Sequence, residues 1–229
     1  MKLHEYEAKA ILGNNGINVP KGVLVRNVEE VAEAISLVGT PAIIKAQVLV
    51  AGRGKAGGIV KVDNILEAEK SVAALLDSSI KGSKVSSVLI EQAAEIVKEL
   101  YLGFTIDRSE KKVIAIASAD GGVDLEDLAS TRPEAIFKEH VDPLVGFKQF
   151  QSRKMGFELG LSGSLINDFS NIAKSLYDVF ESFDCELIES NPLCVTKDDS
   201  MTAVDGRIII DDNSLFKHKD LSSDGREEL

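Results

Sequence analysis

The sequence predicts an α+β protein. Three observations carry that expectation. Stretches with apolar residues at helical spacing are interleaved, in irregular order, with short alternating or uniformly apolar runs. Neighbouring extended runs are repeatedly joined by polar tips of hairpin length. The most glycine-rich segment leads into a β-branched run where a doubly wound sheet would place a helix.

Taken in order, LHEYEAKAILGNNG (3–16) sets Leu3, Tyr6, Ala10, Ile11 and Leu12 at helical spacing, and Gly13 to Gly16 supply a stop. An extended piece around VPKGVLV precedes VEEVAEAISLVG (28–39), a second helix with Asn27 as N-cap. PAIIKAQVLV (41–50) is nearly all apolar and too short for a helix; the glycine loop follows, then IVKV, a strand by its β-branched content. ILEAEKSVAALLDSS (65–79) is an amphipathic helix and VSSVLIEQA (85–93) a buried strand. ELYLGFTIDRSEKKVIAIASAD (99–120) reads as two strands joined at DRSEKK, after which GGVDLEDLAS turns helical. SLINDFSNIAKSLYDVFESF (164–183) has the clearest 3.6-residue period in the chain. CELIESNPLCVTKDDSMTAVDGRIII (185–210) alternates, breaks at TKDDS and alternates again, which makes it a hairpin. One domain is expected over 1–220, with a subdomain boundary near residue 100, and a polar linker or tail over 221–229.

Composition sets the outer bounds. A chain of 229 residues, 44% hydrophobic and 28% charged, buries a substantial core. Its 26 Lys and Arg against 37 Asp and Glu leave a net charge of −11, which repels a nucleic-acid backbone. No run has the length and apolarity of a membrane span, and the first residues lack the apolar segment of a secretion signal, so a cytoplasmic location is expected, or an organelle matrix after removal of a targeting segment. Cys185 and Cys194 fall in one expected strand, roughly 30 Å apart, far beyond the ~7 Å a disulfide spans. Two buried, reduced thiols are the simplest reading.

Gly52-Arg53-Gly54-Lys55-Ala56-Gly57 is a literal G-x-G-x-x-G. A dinucleotide fingerprint needs a helix after that turn, and Ile59-Val60-Lys61-Val62 is a poor helix start. The Walker pattern fails as well, because Ala56 follows Lys55 where Ser or Thr should bind a metal ion. What remains is strand, glycine loop, strand: either a solvated hairpin tip or a flap whose backbone N–H groups and cations, Arg53 and Lys55, meet an anion.

Lys45 favours the flap. It interrupts an apolar strand, and an ammonium there needs an anion or a route to water. Glu91, ending VLIE, and Glu99, opening ELYLG, are carboxylates at strand ends, able to accept from a ribose or adenine or simply solvated. In the terminal hairpin a turn centred on Asp198 sets Asn191 opposite Asp205 and Glu189 opposite Arg207. An amide oxygen and a carboxylate converging in this way suit Mg2+, which keeps substrate oxygens and water as further ligands; a plain cross-strand polar pair is the alternative. Lys45, the flap and this oxygen pair outline a Mg-nucleotide site.

The segments LHEYEAKAIL, GRGKAGGIVKV, IEQAAEIVKELYLG, DRSEKKVIAIASADGGVDLED, DPLVGFKQFQSRKMGFELGL, LIESNPLCVT and AVDGR resemble, in that order, the nucleotide-binding part of the succinate–CoA ligase β-subunit family. The resemblance implies an ATP-grasp fold, two α+β subdomains clasping a nucleotide. It implies interconversion of succinate, CoA and ATP or GTP with succinyl-CoA, NDP and phosphate, through succinyl phosphate and a phosphohistidine on a partner α subunit in a heterodimer or heterotetramer. By motif, Lys45 and Gly52, Arg53 and Gly54 would hold phosphates; Glu91, Ala94 and Glu99 would line the nucleotide pocket; Asn191 and Asp205 would hold Mg2+. Glu189 matches the glutamate that steadies the partner's phosphohistidine loop.

Family members continue into a second domain about where this chain stops, at Leu229, so a fragment or isolated domain is expected, inactive without the α subunit and that domain. His4, His140 and His218 do not inherit the phosphorylated role, which belongs to the α subunit. Rival expectations are a β subunit of another ADP-forming acyl-CoA or malate–CoA ligase, a self-contained ATP-grasp carboxylate ligase, and a non-catalytic Mg-ATP-binding module.

Overall fold

In the computed structural model, which describes residues 1–221, helix α1 (Glu5–Asn14) opens the chain and strand β1 (Gly22–Val25) follows. The Asn27 side chain accepts from Glu30 N–H, capping a short 3-10 turn that runs into α2 (Val31–Val38). Strands β2 (Ala42–Ala46) and β3 (Ile59–Val62) flank the glycine loop and pair antiparallel, Lys45 opposite Ile59. The β-branched run after the glycines is thus a strand. Helix α3 (Ile65–Leu76), capped by Asn64, a two-residue hairpin of β4 (Ser79–Ile80) and β5 (Ser83–Lys84), and β6 (Val88–Gln92) complete a four-stranded antiparallel sheet in the order β1-β6-β2-β3.

Side-chain alternation divides this sheet. Ile44 and Ile90 face α2 and α3 in a core with Val25, Val31, Val62, Ala68 and Val72. Ile43, Lys45, Ile59, Lys61 and Glu91 occupy the opposite face.

The second sheet is larger. Strands β7 (Ile96–Asp107) and β8 (Lys112–Ser118) form the expected hairpin, helix α4 (Leu125–Thr131) follows, and β9 (Ile136–His140) pairs with β8. Helices α5 (Gln149–Glu158) and α6 (Ser164–Ser182) then cover one face. Strand β10 (Cys185–Thr196) pairs with β7, with β11 (Met201–Ala203) and with β12 (Arg207–Ile210). The core here joins Leu100, Leu102, Phe104, Phe169, Leu176 and Ile188, and it includes Ala8, Ile11 and Leu12 of α1. Residues 3–17 therefore belong with the larger core although they precede the smaller one, and the chain crosses between cores twice.

Several elements depart from the sequence expectation: the helix expected over 65–79 ends at Leu76, and the hairpin β4–β5 follows it. Strand β9 and helix α5 were not expected; α5 buries Gln151, Ser152, Met155 and Gly156 while Phe150 and Phe157 point outward, so its inward face carries no apolar period. Ser152 and Ser170 hydroxyls meet at 2.6 Å and Gly156 lies against Phe169, a close helix crossing made of small residues. Helix α1 buries Glu5, Ala8, Lys9, Ile11 and Leu12, and Ala10 is exposed, which corrects the apolar face read from spacing. Cys185 and Cys194 are free and buried on β10, and burial pushes both thiols up to about 12. Among the described residues no helix is long and apolar enough to cross a membrane. Residues 222–229 of the expected tail lie outside the described residues.

Candidate functional site

A cleft of about 300 Å³ lies where the two sheets meet. One wall is the helix-free face of the small sheet, with Ile43, Lys45, Ile59, Lys61 and Glu91; the other brings Ile96, Pro192, Val204 and Asp205 from the large sheet and its hairpin. The segment Gln92-Ala93-Ala94 lines it as well, held by Gln92 N–H on Lys21 O (2.9 Å) and Ala93 N–H on Pro41 O (3.1 Å). The lining intermixes apolar side chains with charged ones, Ile43 lying between Lys61 and Glu91 and Ile59 opposite Lys45, which suits a ligand with both an apolar body and anionic groups. Of the residues singled out in the sequence, Lys45, Glu91, Ala94 and Asp205 line this cleft.

Lys45 and Glu91 of this lining belong to a buried ring of alternating charge. Lys45 Nζ approaches Glu5 Oε1 (2.9 Å) and Glu91 Oε2 (2.7 Å); Lys9 Nζ approaches the same two carboxylates at 3.2 and 2.5 Å. All four side chains are at most 5% exposed. Lys45 is thus a buried, paired cation and Glu91 a buried, paired anion, which rules out solvated strand ends for both. Lys45 also donates to Val204 O at 2.7 Å, so its three protons have three acceptors.

Burial alone would drive these groups neutral. For Lys45 the carboxylates of Glu5, Glu91 and Asp205 outweigh it and raise the ammonium's pKa. For Glu5 burial is likewise outweighed, by Lys45, Lys9 and Arg53, and the carboxyl stays well below the usual range. Lys9 goes the other way: burial, with the nearby Lys45 charge, lowers its pKa against the pull of Glu5 and Glu91.

In the glycine loop Arg53 turns inward. Its guanidinium donates to Ala46 O (3.0 Å) and to Glu5 Oε2 and stands 3.4 Å from Asp205. The loop closes on itself through Gly58 N–H and Ala56 N–H on Arg53 O (2.8 and 3.1 Å). Gly52 adopts φ +72° beside Lys81, whose ammonium donates to Ala51 O. Gly52 and Gly54 shape the loop outside the cleft lining, and Arg53 is the member of the triplet that reaches the charge ring.

The hairpin keeps the register derived from its turn. Glu189 pairs with Arg207 and Leu193 with Ala203, bracketing Asn191 and Asp205. Their side chains, however, have separate partners. Asn191 Oδ1 accepts from Gly122 N–H (2.7 Å) and its amide donates to Val123 O (2.9 Å). Asp205 accepts from Gly206 N–H (2.8 Å) and faces Arg53. Burial, then the Glu5 carboxylate, pushes the Asp205 carboxyl up to about 6, against Arg53, Lys45 and Lys9. Among the described residues no three His, Cys, Asp or Glu gather as a ready metal site. One carboxylate and one amide oxygen nonetheless fit a hard cation that completes its shell with substrate oxygens and water.

Glu99 is exposed and lies against Gly122, outside the cleft lining, and its carbonyl accepts from Gly121 N–H (3.1 Å). Glu189 sits further along the open face of the large sheet, taking a hydrogen bond from Tyr101 (2.7 Å) and an ion pair from Arg207 (3.3 Å).

Sequence reasoning missed Glu5, Lys9, Gln47 and Tyr101. Gln47 donates to Glu5 Oε2 at 3.2 Å and accepts from Tyr6 N–H at 3.1 Å, stitching α1 to the end of β2. The available signal was the four-residue spacing of Glu5 and Lys9, which places a charged pair on the side of α1 that carries Ala8 and Leu12.

Residues 2–195 match the family model described as ATP-grasp domain. The chain is 48% identical over 229 residues to the succinate–CoA ligase [ADP-forming] subunit beta of Ignicoccus hospitalis, covering 100% of this chain and 61% of the relative. It is 44% identical over 222 residues to the succinate–CoA ligase [GDP-forming] subunit beta of Thermus thermophilus, covering 97% and 58%. The chain thus spans about three fifths of the length of these curated relatives. Among solved structures it resembles the dinucleotide forming acetyl-coenzyme A synthetase 1 of Ca. Korarchaeum cryptofilum, in complex with coenzyme A, Ca-AMPCP and HgCl+ (TM-score 0.75, 18% identity, 92% of this chain and 93% of that one). It also resembles the ATP citrate lyase of Methanothrix soehngenii in complex with citrate and coenzyme A (TM-score 0.73, 20% identity, 98% and 55%). At these identities the likeness is one of fold.

Proposed function

This chain belongs to the ATP-grasp domain family, and from that premise we propose that it is the nucleotide-binding part of the β subunit of a succinate–CoA ligase. The observation that carries the reading is the cleft between the two sheets, which joins Lys45, Glu91, Ala94 and Asp205 around one space. The two cores, one built from residues 25–90 and the other from residues 3–17 together with residue 100 onward, are in this reading the subdomains that clasp the nucleotide, so the boundary expected near residue 100 is one of two crossings.

ATP or GTP lies with its base between Ile43, Ile96 and Pro192 and its phosphates toward Lys45 and Arg53, with Gly52 and Gly54 shaping the flap above them and Glu91 and Ala94 toward the nucleoside; Glu99 lies outside the cleft lining and takes no part in this pose. Asn191 and Asp205 would hold Mg2+, which would supply neutralisation of phosphate charge. Phosphoryl transfer asks a protein mainly for positioning and charge neutralisation. Lys45 and Arg53 supply the charge. No nucleophile is assigned to this chain; the γ-phosphoryl passes to a histidine of a partner α subunit, whose loop Glu189 steadies. From there it passes to succinate as succinyl phosphate, and CoA displaces phosphate to give succinyl-CoA. We place this enzyme in the cytoplasm.

The test is transfer of label from γ-labelled ATP or GTP to an α subunit added to the full-length β subunit that contains this chain. Labelled α subunit supports the reading. Absence of label with every α subunit tried, under conditions where the nucleotide binds, contradicts it.

A further inference from the structure

Lys45 and Lys9 hold the same two carboxylates, yet only Lys45 lines the cleft. That asymmetry has a chemical consequence. With acceptors at Glu5, Glu91 and Val204 O, Lys45 has no proton left for an incoming anion, so one contact must yield before a phosphate is bound. Arg53 is likewise engaged, by Ala46 O, Glu5 and Asp205. A buried carboxylate stripped of its only cation is strongly disfavoured. Glu5 and Glu91 avoid that state, because Lys9 already stands at hydrogen-bonding distance from both.

Resting on the nucleotide reading of the cleft, we propose that Glu5 is a positioning residue that acts as an internal stand-in for phosphate, and that Lys9 is the reserve cation that keeps Glu5 and Glu91 neutralised when Lys45 and Arg53 turn to the ligand. The ligand class is a polyphosphate. Without it, Glu5 holds both cations in one place, with Gln47 fixing the second carboxylate oxygen. When it binds, the anion exchanges with Glu5, and Lys9 is relieved of a like-charged neighbour. No covalent bond changes in this step. The ring confines two flexible cations before the ligand arrives and sets the affinity by competition.

The proposal assigns opposite signs to two substitutions. Glu5→Gln removes the competing anion and leaves Lys45 and Arg53 less neutralised, so inorganic tripolyphosphate and Mg-ADP bind tighter, by about tenfold if one near-neighbour charge contributes as usual. Lys9→Met leaves the unliganded ring neutralised by Lys45 but strands both carboxylates in the complex, so the same probes bind weaker by about tenfold, and Lys9→Arg restores affinity. Titration calorimetry on the 229-residue chain reads both, with circular dichroism confirming that each variant is folded. If Glu5→Gln does not fold, Lys9→Met and Lys9→Arg decide alone: weakening with rescue upholds the exchange, and unchanged affinity overturns it. Both variants shifting affinity in one direction, or neither shifting it, also overturns the exchange. Failure of the wild-type chain to bind either probe would instead overturn the nucleotide reading beneath it.

Discussion

Arg53 and Asp205, 152 residues apart in sequence, face each other at 3.4 Å where the glycine loop of the small sheet meets the hairpin of the large one. The contact ties the cations of the small sheet to the hairpin residue proposed to hold Mg2+. Arg53 is one of the groups that pull the Asp205 carboxyl down from a position raised by burial and Glu5.

A pH dependence follows from Asp205. Its carboxyl, at about 6 in the folded chain, holds its proton longer than in the unfolded chain, where the ordinary value is 3.8. Its contribution to stability therefore declines as pH rises from about 4 to about 6. Cation binding, which needs the carboxylate, strengthens over that same interval. Arg53→Met removes a charge that favours the carboxylate, so the midpoint of Mg-dependent nucleotide binding moves to higher pH; calorimetry between pH 5 and 8 locates it.

Lys45→Met isolates the ring's contribution to folding. Breaking a buried ion pair by removing one partner costs about 3–5 kcal/mol, and Lys9 offsets part of that here, so about 3 kcal/mol is expected in urea unfolding. Glu5 supplies the pH signature. Its carboxyl is held below the usual range, so the stability it contributes is present above the unfolded value of about 4.5 and is lost as pH falls below it. With Lys45 gone the folded carboxyl moves up toward its unfolded value, so this acid-labile contribution shrinks and the fall of stability with pH below about 4.5 becomes shallower.

Tyr101→Phe tests how Glu189 is held. Burial, then Glu189, raises the Tyr101 pKa, so the phenol is a firm donor to that carboxylate at 2.7 Å. Its loss costs about 1.5–3 kcal/mol in chemical unfolding, as for a hydrogen bond to a charged group. Nucleotide affinity stays unchanged, while the proposed transfer of phosphate to an α subunit slows because Glu189 keeps its Arg207 ion pair but loses its phenol donor.

Gly121→Ala addresses the loop that holds Asn191. A Cβ there falls 2.5 Å from the backbone N and O of Leu100, atoms that cannot move without breaking the sheet. The expected cost is about 3 kcal/mol or more in thermal unfolding, at the upper end for overpacking. Because the adjacent Gly122 N–H and Val123 O grip the Asn191 amide, Mg-dependence of nucleotide binding weakens as well.

What could be read from the sequence was local. Ile59-Val60-Lys61-Val62 is β-branched, so the strand after the glycines was legible and with it the failure of the dinucleotide motif. The register of β10 against β11 and β12 followed from the turn, because strand pairing is arithmetic once a turn is placed. What stayed hidden depended on partners distant in sequence. Glu5 and Lys9 look like surface residues of α1 until Glu91 and Lys45 are brought beside them. Helix α5 buries serine, glutamine and glycine against α6, a face with no apolar period to detect. The opposed positions of Asn191 and Asp205 were derived, but not the side-chain directions, which loop 121–123 and Arg53 determine.

The measurement that bears most directly on the account is calorimetric titration of Mg-ATP and Mg-GTP, with and without the metal, into the wild-type chain, Lys45→Ala and Asp205→Ala. The account predicts metal-dependent binding to the wild type, weakened at least tenfold by Lys45→Ala, with the metal dependence lost in Asp205→Ala. A folded wild-type chain that binds neither nucleotide in the presence of Mg2+, or two folded variants that bind as the wild type does, would contradict it.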